Sequence, residues 1–302
     1  MAQKILVQES DTPIQCCGRL ESGNILFFPT VPFDFPPEEI SFLLEQKQSG
    51  SKSRKNIAYK PQLDKITNHG DTADAPRLLE VLRNYSRRVT VFLSTLLAPY
   101  APYWKHDYAS FRPFQEQGRK LRLRARNDLL HVDAFPTRPL HGMRILRFFT
   151  NINPTEGRKW ITSEPFEMLA KKFGEEVSYP KSVGYSAIDR LRKKMGFWLQ
   201  QFGFKVPMRS PYDQFMLRLH HFLKENSAFQ QSCPKDYWDF PPGSCWAVFT
   251  DQVSHAAISG QYALEQTFLV PQRALIYPER APVAILERLS GKNMVDPELI
   301  RS

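Results

Sequence analysis

"LLHVDAFPTRPLHGMRILRFFTNINP", residues 129–154, decides how this chain is read. His131 and Asp133 stand two apart inside an otherwise apolar run. In a strand, residues i and i+2 project from one face, so this spacing sets an imidazole and a carboxylate side by side. Burying both without partners is costly. A metal ion held by the two is one solution. An ordinary hydrogen bond between histidine and carboxylate is the other, and the commoner one for an isolated pair.

Outward from this stretch the patterns alternate between strand and helix. "MRILRFFTNINP" reads as a second strand, closed by a turn at Pro154. Upstream, "GRKLRLRARNDLLHVDAF" sets Leu121, Leu123 and Ala125 against Arg122, Arg124 and Arg126, the period-two signature of a strand. Downstream come three helical stretches: one capped at Ser163, one at Ser186, and one at Ser210 with Pro211 as its first helical residue. Strands resume in "FPPGSCWAVFTDQVSHAAISGQYALEQTFLVP", where Pro-Pro-Gly and "ISGQ" are turns.

Earlier in the chain, Leu78, Leu79, Leu82, Tyr85, Val89, Phe92, Leu93 and Leu96 recur at helical spacing and predict one long helix. Residues 1–35 read as short strands with turns, a short helix starts at Pro36–Pro37, and residues 46–75 read as a polar, basic loop. No repeat or Pro/Gly linker divides the chain. A single domain over 1–302 follows, with a helical insertion at about 160–230 between core strands.

Composition is that of a globular protein, with 42% hydrophobic and 24% charged residues over 302 positions. The formal charge of +10 favours anionic partners without choosing among nucleic acid, membrane surface and acidic sugar. Four cysteines, Cys16, Cys17, Cys233 and Cys245, form no CxxC pair and no disulfide framework, which suits a reducing compartment. The N-terminus lacks the apolar core of a signal peptide, and no apolar run reaches membrane-spanning length. The expectation is a cytoplasmic protein.

Among seven histidines, His255 stands apart: it lies in an apolar strand context just before a turn. With His131 and Asp133 it completes two imidazoles and one carboxylate, the facial triad of non-haem Fe(II) oxygenases. A metal-dependent cupin isomerase or hydrolase usually brings more histidines to its metal. A non-catalytic jelly-roll that binds anions or membrane remains a further alternative.

"LLHVDAF" and "PPGSCWAVFTDQVSHAA" together resemble the Fe(II)/2-oxoglutarate dioxygenases. The resemblance implies an α+β fold: a double-stranded β-helix, a jelly-roll or cupin-like core, with flanking and inserted helices. It also implies Fe(II), 2-oxoglutarate and O₂ as cofactor and cosubstrates, with His131, Asp133 and His255 as metal ligands. The distal carboxylate of 2-oxoglutarate needs a cation, for which arginine's fork is suited. One branch of the family places that cation about ten residues after the distal histidine, where this chain has Gln266. Another places it on the strand after the HxD motif, which nominates Arg144, with Arg147 as the second choice. These two point to opposite faces of their strand, so only one can look inward.

A narrower resemblance rests on "RNDLLHVDAFPTRP", "RILRFFTNINP" and "SHAAISGQYALEQTF". These look like the 3-deoxy-D-manno-oct-2-ulosonic acid (Kdo) hydroxylases, over residues 119–160 and 240–290. The resemblance implies hydroxylation at C3 of the terminal Kdo of Kdo-bearing lipid A, with succinate and CO₂ as coproducts. The same chemistry on a protein or nucleic acid is the alternative substrate class, although no nucleic-acid partner is expected. Arg126, Asn127, Arg138 and His141 flank the HxD motif and are candidate substrate contacts. A substrate anchored in lipid implies a peripheral enzyme on the anionic cytoplasmic face of the inner membrane. Residues 189–205, which combine Arg190, Arg192, Lys193 and Lys194 with Phe197, Trp198 and Phe202, could make that contact. Oligomeric state is not legible.

Overall fold

The structure is a computed structural model that describes residues 2–46, 56–69, 74–178 and 209–296. Its strands form two sheets. The larger runs in the order β1 (Lys4–Leu6), β2 (Ile25–Phe28), β9 (Cys245–Phe249), β6 (Arg144–Asn151), β11 (Ala263–Val270), β5 (Lys105–Arg112), β3 (Ile57–Lys60) and β4 (Lys65–Thr67). The smaller is β10 (Val253–Ser259), β7 (Arg158–Pro165) and β8 (Asp236–Phe240). The chain crosses between sheets as it goes: β6 lies in the larger, β7 and β8 in the smaller, then β9, β10 and β11 alternate. Every pairing is antiparallel except that of β1 with β2. This is the jelly-roll expected from the sequence.

Strand alternation sorts side chains into two apolar layers. Phe148 on β6 and Phe28 on β2 face outward onto α3 (Ala75–Leu96), where Phe92 meets both rings. The helix buries Leu78, Leu82, Tyr85, Val89 and Leu93, as the spacing predicts. Phe149 and Trp246 face the opposite way, into the space between sheets, where Trp246 stacks between Phe149 and Phe240 and both Phe149 and Trp246 meet Trp160 edge-on. Aromatics close one end of that space and charged groups fill the other.

The remaining α-helices among the described residues are α1 (Pro13–Glu21), α2 (Pro37–Glu45), α4 (Phe166–Phe173), α5 (Pro211–Glu225), α6 (Ser227–Ser232) and α7 (Pro282–Ser290). α5 starts where its cap predicts: Ser210 accepts from the Asp213 amide, and Pro211 stands first.

Four local expectations need correction. Residues 119–128 are not a strand but a loop with one 3₁₀ turn, Leu123–Ala125. Leu123 is 45% exposed, and Arg124 and Arg126 turn to Glu225 and Asp128, so no partner strand fixes the alternation. Ser163 does not cap a helix: it lies within β7 and donates to the Pro234 carbonyl, while α4 starts behind Pro165. A hairpin of β3 and β4 occupies part of the expected polar loop. α1 was missed, although Thr12-Pro13 with Gln15 makes a complete capping box. The helix expected from Ser186 and the basic-aromatic element at 189–205 lie outside the described residues.

Candidate metal centre and its arginine-lined pocket

His131 does not belong to a full strand. It makes a single antiparallel bridge with His255 on β10: His131 N donates to His255 O (3.1 Å), and His255 N donates to His131 O (2.9 Å). Asp133 N donates to Thr250 O (2.9 Å). The bridge brings the two rings to 4.8 Å between centroids and places Asp133 beside them. One ligand atom from each of the three residues lies within 4.8 Å of the others, and all three residues are largely buried.

The donor set fits a metal. Nδ1 of His131 lies 2.7 Å from Leu129 O, and Nδ1 of His255 lies 3.1 Å from Val253 O. A carbonyl only accepts, so each Nδ1 carries the hydrogen and each Nε2 keeps its lone pair. Nε2 of His131 is 3.5 Å from Asp133 Oδ1. Burial pushes the imidazole of His255 down to about 3 and lowers His131 as well. Both rings are therefore neutral, the state a metal ligand requires.

Beside the triad lies a pocket lined by Arg112, Asn127, Arg147, Phe149, Arg158 and Trp160. Arg147, on β6, forms an ion pair with Asp133 Oδ2 at 2.8 Å and a second one with Glu265. Arg112, on β5, also pairs with Glu265. Arg158, at the start of β7, lies 3.5 Å from Glu116 and donates to Gly260 O (3.1 Å). Burial, and then the charge of Arg112, lower Arg158 to about 10. Nε of both Arg112 and Arg158 is buried with no hydrogen-bond partner among the described residues. Both are donors left without an acceptor by the fold. Trp160 stacks on His255 at 5.3 Å and 20° between ring planes, walling the metal side of the pocket.

The residues nominated from sequence divide sharply. The triad assembles. Of the two arginines on β6, Arg147 looks inward and Arg144 outward. Arg144 is 0% exposed, bound to Asp251 (2.8 Å) and Gln252 (3.0 Å), and packed on Phe249, away from the pocket. Gln266 is also on the wrong face: Glu265 points inward, so its neighbour points out and donates to the Asp107 carbonyl (3.1 Å). Asn127 lines the pocket, and Arg126 pairs with Asp128 at 2.6 Å beside it. Arg138 lies over Tyr108 and Phe135 and pairs with Asp107. His141 belongs to the turn before β6. Its φ is 49° and that of Gly142 is 85°, a left-handed pair closed by Met143 N to Leu140 O (3.0 Å). Asp213 accepts from the Leu140 and His141 amides, so His141 is held as a turn residue.

Sequence reasoning missed Arg112, Arg158 and Trp160. For Arg158 and Trp160 the signal was the alternation Arg158-Trp160-Thr162 on β7, which runs across the start of the expected insertion at about residue 160.

The sequence pattern of the 3-deoxy-D-manno-oct-2-ulosonic acid (Kdo) hydroxylase family matches residues 4–293. A comparison with curated proteins finds no match. Among solved structures, the chain is similar to the Kdo hydroxylase KdoO, a non-haem Fe(II) α-ketoglutarate-dependent dioxygenase. The cobalt(II) complex of KdoO is 35% identical, covering 97% of this chain and 98% of that one, with a TM-score of 0.83. The complex with α-ketoglutarate and Fe(III) is 34% identical, covering 97% of each chain, with a TM-score of 0.83. The complex with succinate and Fe(III) is 35% identical, covering 97% and 98%, with a TM-score of 0.82. With the metal-fitting triad, the jelly-roll and a family match over nearly its whole length, this chain belongs to the Kdo hydroxylase family of Fe(II)/2-oxoglutarate-dependent dioxygenases.

Proposed function

We propose that this enzyme hydroxylates C3 of the terminal Kdo sugar of Kdo-lipid A. The observation that carries this reading is a triad fit for Fe(II) opening onto a pocket with three arginines. When bound, the iron supplies oxidative decarboxylation of 2-oxoglutarate to succinate and CO₂ and the insertion of one oxygen atom into a C–H bond. His131, Asp133 and His255 hold it. Arg147 fixes Oδ2 of Asp133 and leaves Oδ1 on the His131 side. Arg158, with Arg112, both lining the pocket, receives the distal carboxylate of 2-oxoglutarate. Trp160 keeps water off the face of His255.

In this reading Asn127, which lines the pocket, and its neighbour Arg126 meet the Kdo carboxylate, with Arg138 as a further contact. Arg144, Gln266 and His141 take no part in this reading, because each is committed elsewhere in the fold. Contact with an anionic leaflet is part of the proposal, since the substrate is lipid-borne. Exposed Leu123, between exposed Arg122 and Arg124 on the segment leading into Asn127, supports it. Among the described residues no helix is long and apolar enough to cross a membrane.

The test is incubation of the purified protein with Fe(II), 2-oxoglutarate, O₂ and Kdo-lipid A, with the product located by mass spectrometry and NMR. A hydroxyl at C3 of the outer sugar is expected. Oxygen at another carbon, or on the acyl chains, overturns the regiochemical reading. Succinate without an oxygenated lipid overturns the substrate.

A further inference from the structure

Among the described residues, the segment that carries His131 and Asp133 has a strand neighbour on one edge only. Its inner edge is bridged to His255 and Thr250. The three-stranded sheet ends at β10, so among the described residues no strand covers the outer edge. That edge carries the N–H and C=O of Leu130 and the C=O of Val132, and both residues are fully buried. Buried backbone groups without partners are costly.

Side chains of two helices occupy the place of the missing strand. Gln230, on α6, accepts from Leu130 N (3.0 Å) and donates to Leu130 O (2.9 Å). A primary amide offers the same donor and acceptor as a peptide group, so this is one rung of a ladder made by a side chain. His220, on α5, donates from Nδ1 to Val132 O (2.8 Å), two residues farther along the same edge. Gln230 is itself held by donation to Leu223 O (2.8 Å) on α5. The ring of His220 also meets that of His131 edge-on, at 4.9 Å and 79°.

We propose that Gln230 and His220 are positioning residues for the metal centre: they replace a sheet strand and hold His131 and Asp133 at the spacing that meets His255. The proposal rests on that triad being the iron site. The helices after α4 then contribute directly to the centre, by gripping the ligand-bearing segment from behind.

Co(II) affinity, read by titration of its visible absorption, tests this without turnover. Gln230→Met keeps the volume and removes all three of its bonds, the two to Leu130 and the one to Leu223 O. His220→Phe keeps the edge contact and removes the donor. His220→Asn restores a donor. The expected result is Co(II) binding weakened about tenfold or more in Gln230→Met and His220→Phe, as for other groups that orient metal ligands, with much of it regained in His220→Asn. The circular dichroism of the metal-free proteins should stay native. Affinities within about threefold of wild type in both variants overturn the proposal. If Gln230→Met does not fold, His220→Phe against His220→Asn decides alone: equal affinities overturn it. Wild-type protein that takes up no Co(II) overturns the iron site, and this proposal with it.

Discussion

Arg147 Nε and Asp133 Oδ2 lie 2.8 Å apart, so the carboxylate ligand is already held before any metal arrives. Arg147 bridges Asp133 to Glu265, and all three side chains are largely buried. Removing one partner of such a pair leaves uncompensated buried charge, at about 3–5 kcal/mol. Arg147→Leu is therefore expected to destabilise the metal-free protein by about 3 kcal/mol or more, read from urea unfolding. Arg147→Lys keeps the charge but not the fork that spans two carboxylates, and should fall between. A stability loss below about 1 kcal/mol in Arg147→Leu contradicts this role.

Arg158 and Arg144 separate anchor from scaffold. Glu116 keeps Arg119 and Arg112 when Arg158 is lost, so Arg158→Ala orphans no acid. Losing a charged hydrogen-bonded anchor costs about 1.5–3 kcal/mol, which raises the KM for 2-oxoglutarate by roughly 10- to 100-fold. Arg144→Ala strands Asp251, whose side chain is 0% exposed, and should destabilise by about 3–5 kcal/mol. Its KM for 2-oxoglutarate should hardly change. Steady-state kinetics of the two variants decide the matter, and the opposite pattern would return the anchor to Arg144.

Replacement of His131, Asp133 or His255 by Ala should each abolish turnover and uptake of Co(II), while the metal-free fold persists. Calorimetric titration with far-UV circular dichroism checks both at once. Full activity in metal-free Asp133→Ala protein contradicts the assigned site.

The metal-free enzyme should lose stability on acidification. Burial pushes His255 down to about 3 from the ordinary 6.5, so between those values the unfolded chain binds a proton that the folded one does not. Burial alone would raise the Glu265 carboxyl, but Arg147 and Arg112 outweigh it and hold it at about 2. From its ordinary 4.5 downward the unfolded state again binds the extra proton. Both effects make stability fall as pH falls, the first beginning near pH 6.5. Urea midpoints measured stepwise below that value test it, and a flat profile down to about pH 5 contradicts it.

The grouping of His131, Asp133 and His255 was legible because an HxD pair inside an apolar run gained weight from His255, which follows a recognisable Pro-Gly-strand unit. α3 and the start of α5 were legible for similar reasons: long periodicity in one, Ser210-Pro211 in the other. The choice between Arg144 and Arg147 was not. β6 is buried on both faces, so the usual polar-outside signal that marks direction is missing. Gln266 failed for a related reason: inward direction belongs to Glu265, an acid whose burial makes sense only once Arg147 and Arg112 surround it. Arg112 and Arg158 sit on β5 and β7, brought together by pairings of distant segments that no local pattern reveals. The alternation of Arg122, Arg124 and Arg126 misled because Arg124 and Arg126 pair with single acids and the segment has no facing strand among the described residues.

In the proposed function, decarboxylation of 2-oxoglutarate is coupled to oxygen insertion into a Kdo sugar at the His131–Asp133–His255 centre. The most direct test is a reaction under isotopically labelled O₂, with product lipid and succinate analysed together. The account predicts one labelled oxygen in the sugar for each one in succinate, and neither when His131 is replaced. Label in succinate alone, or a hydroxyl whose oxygen comes from water, would contradict it.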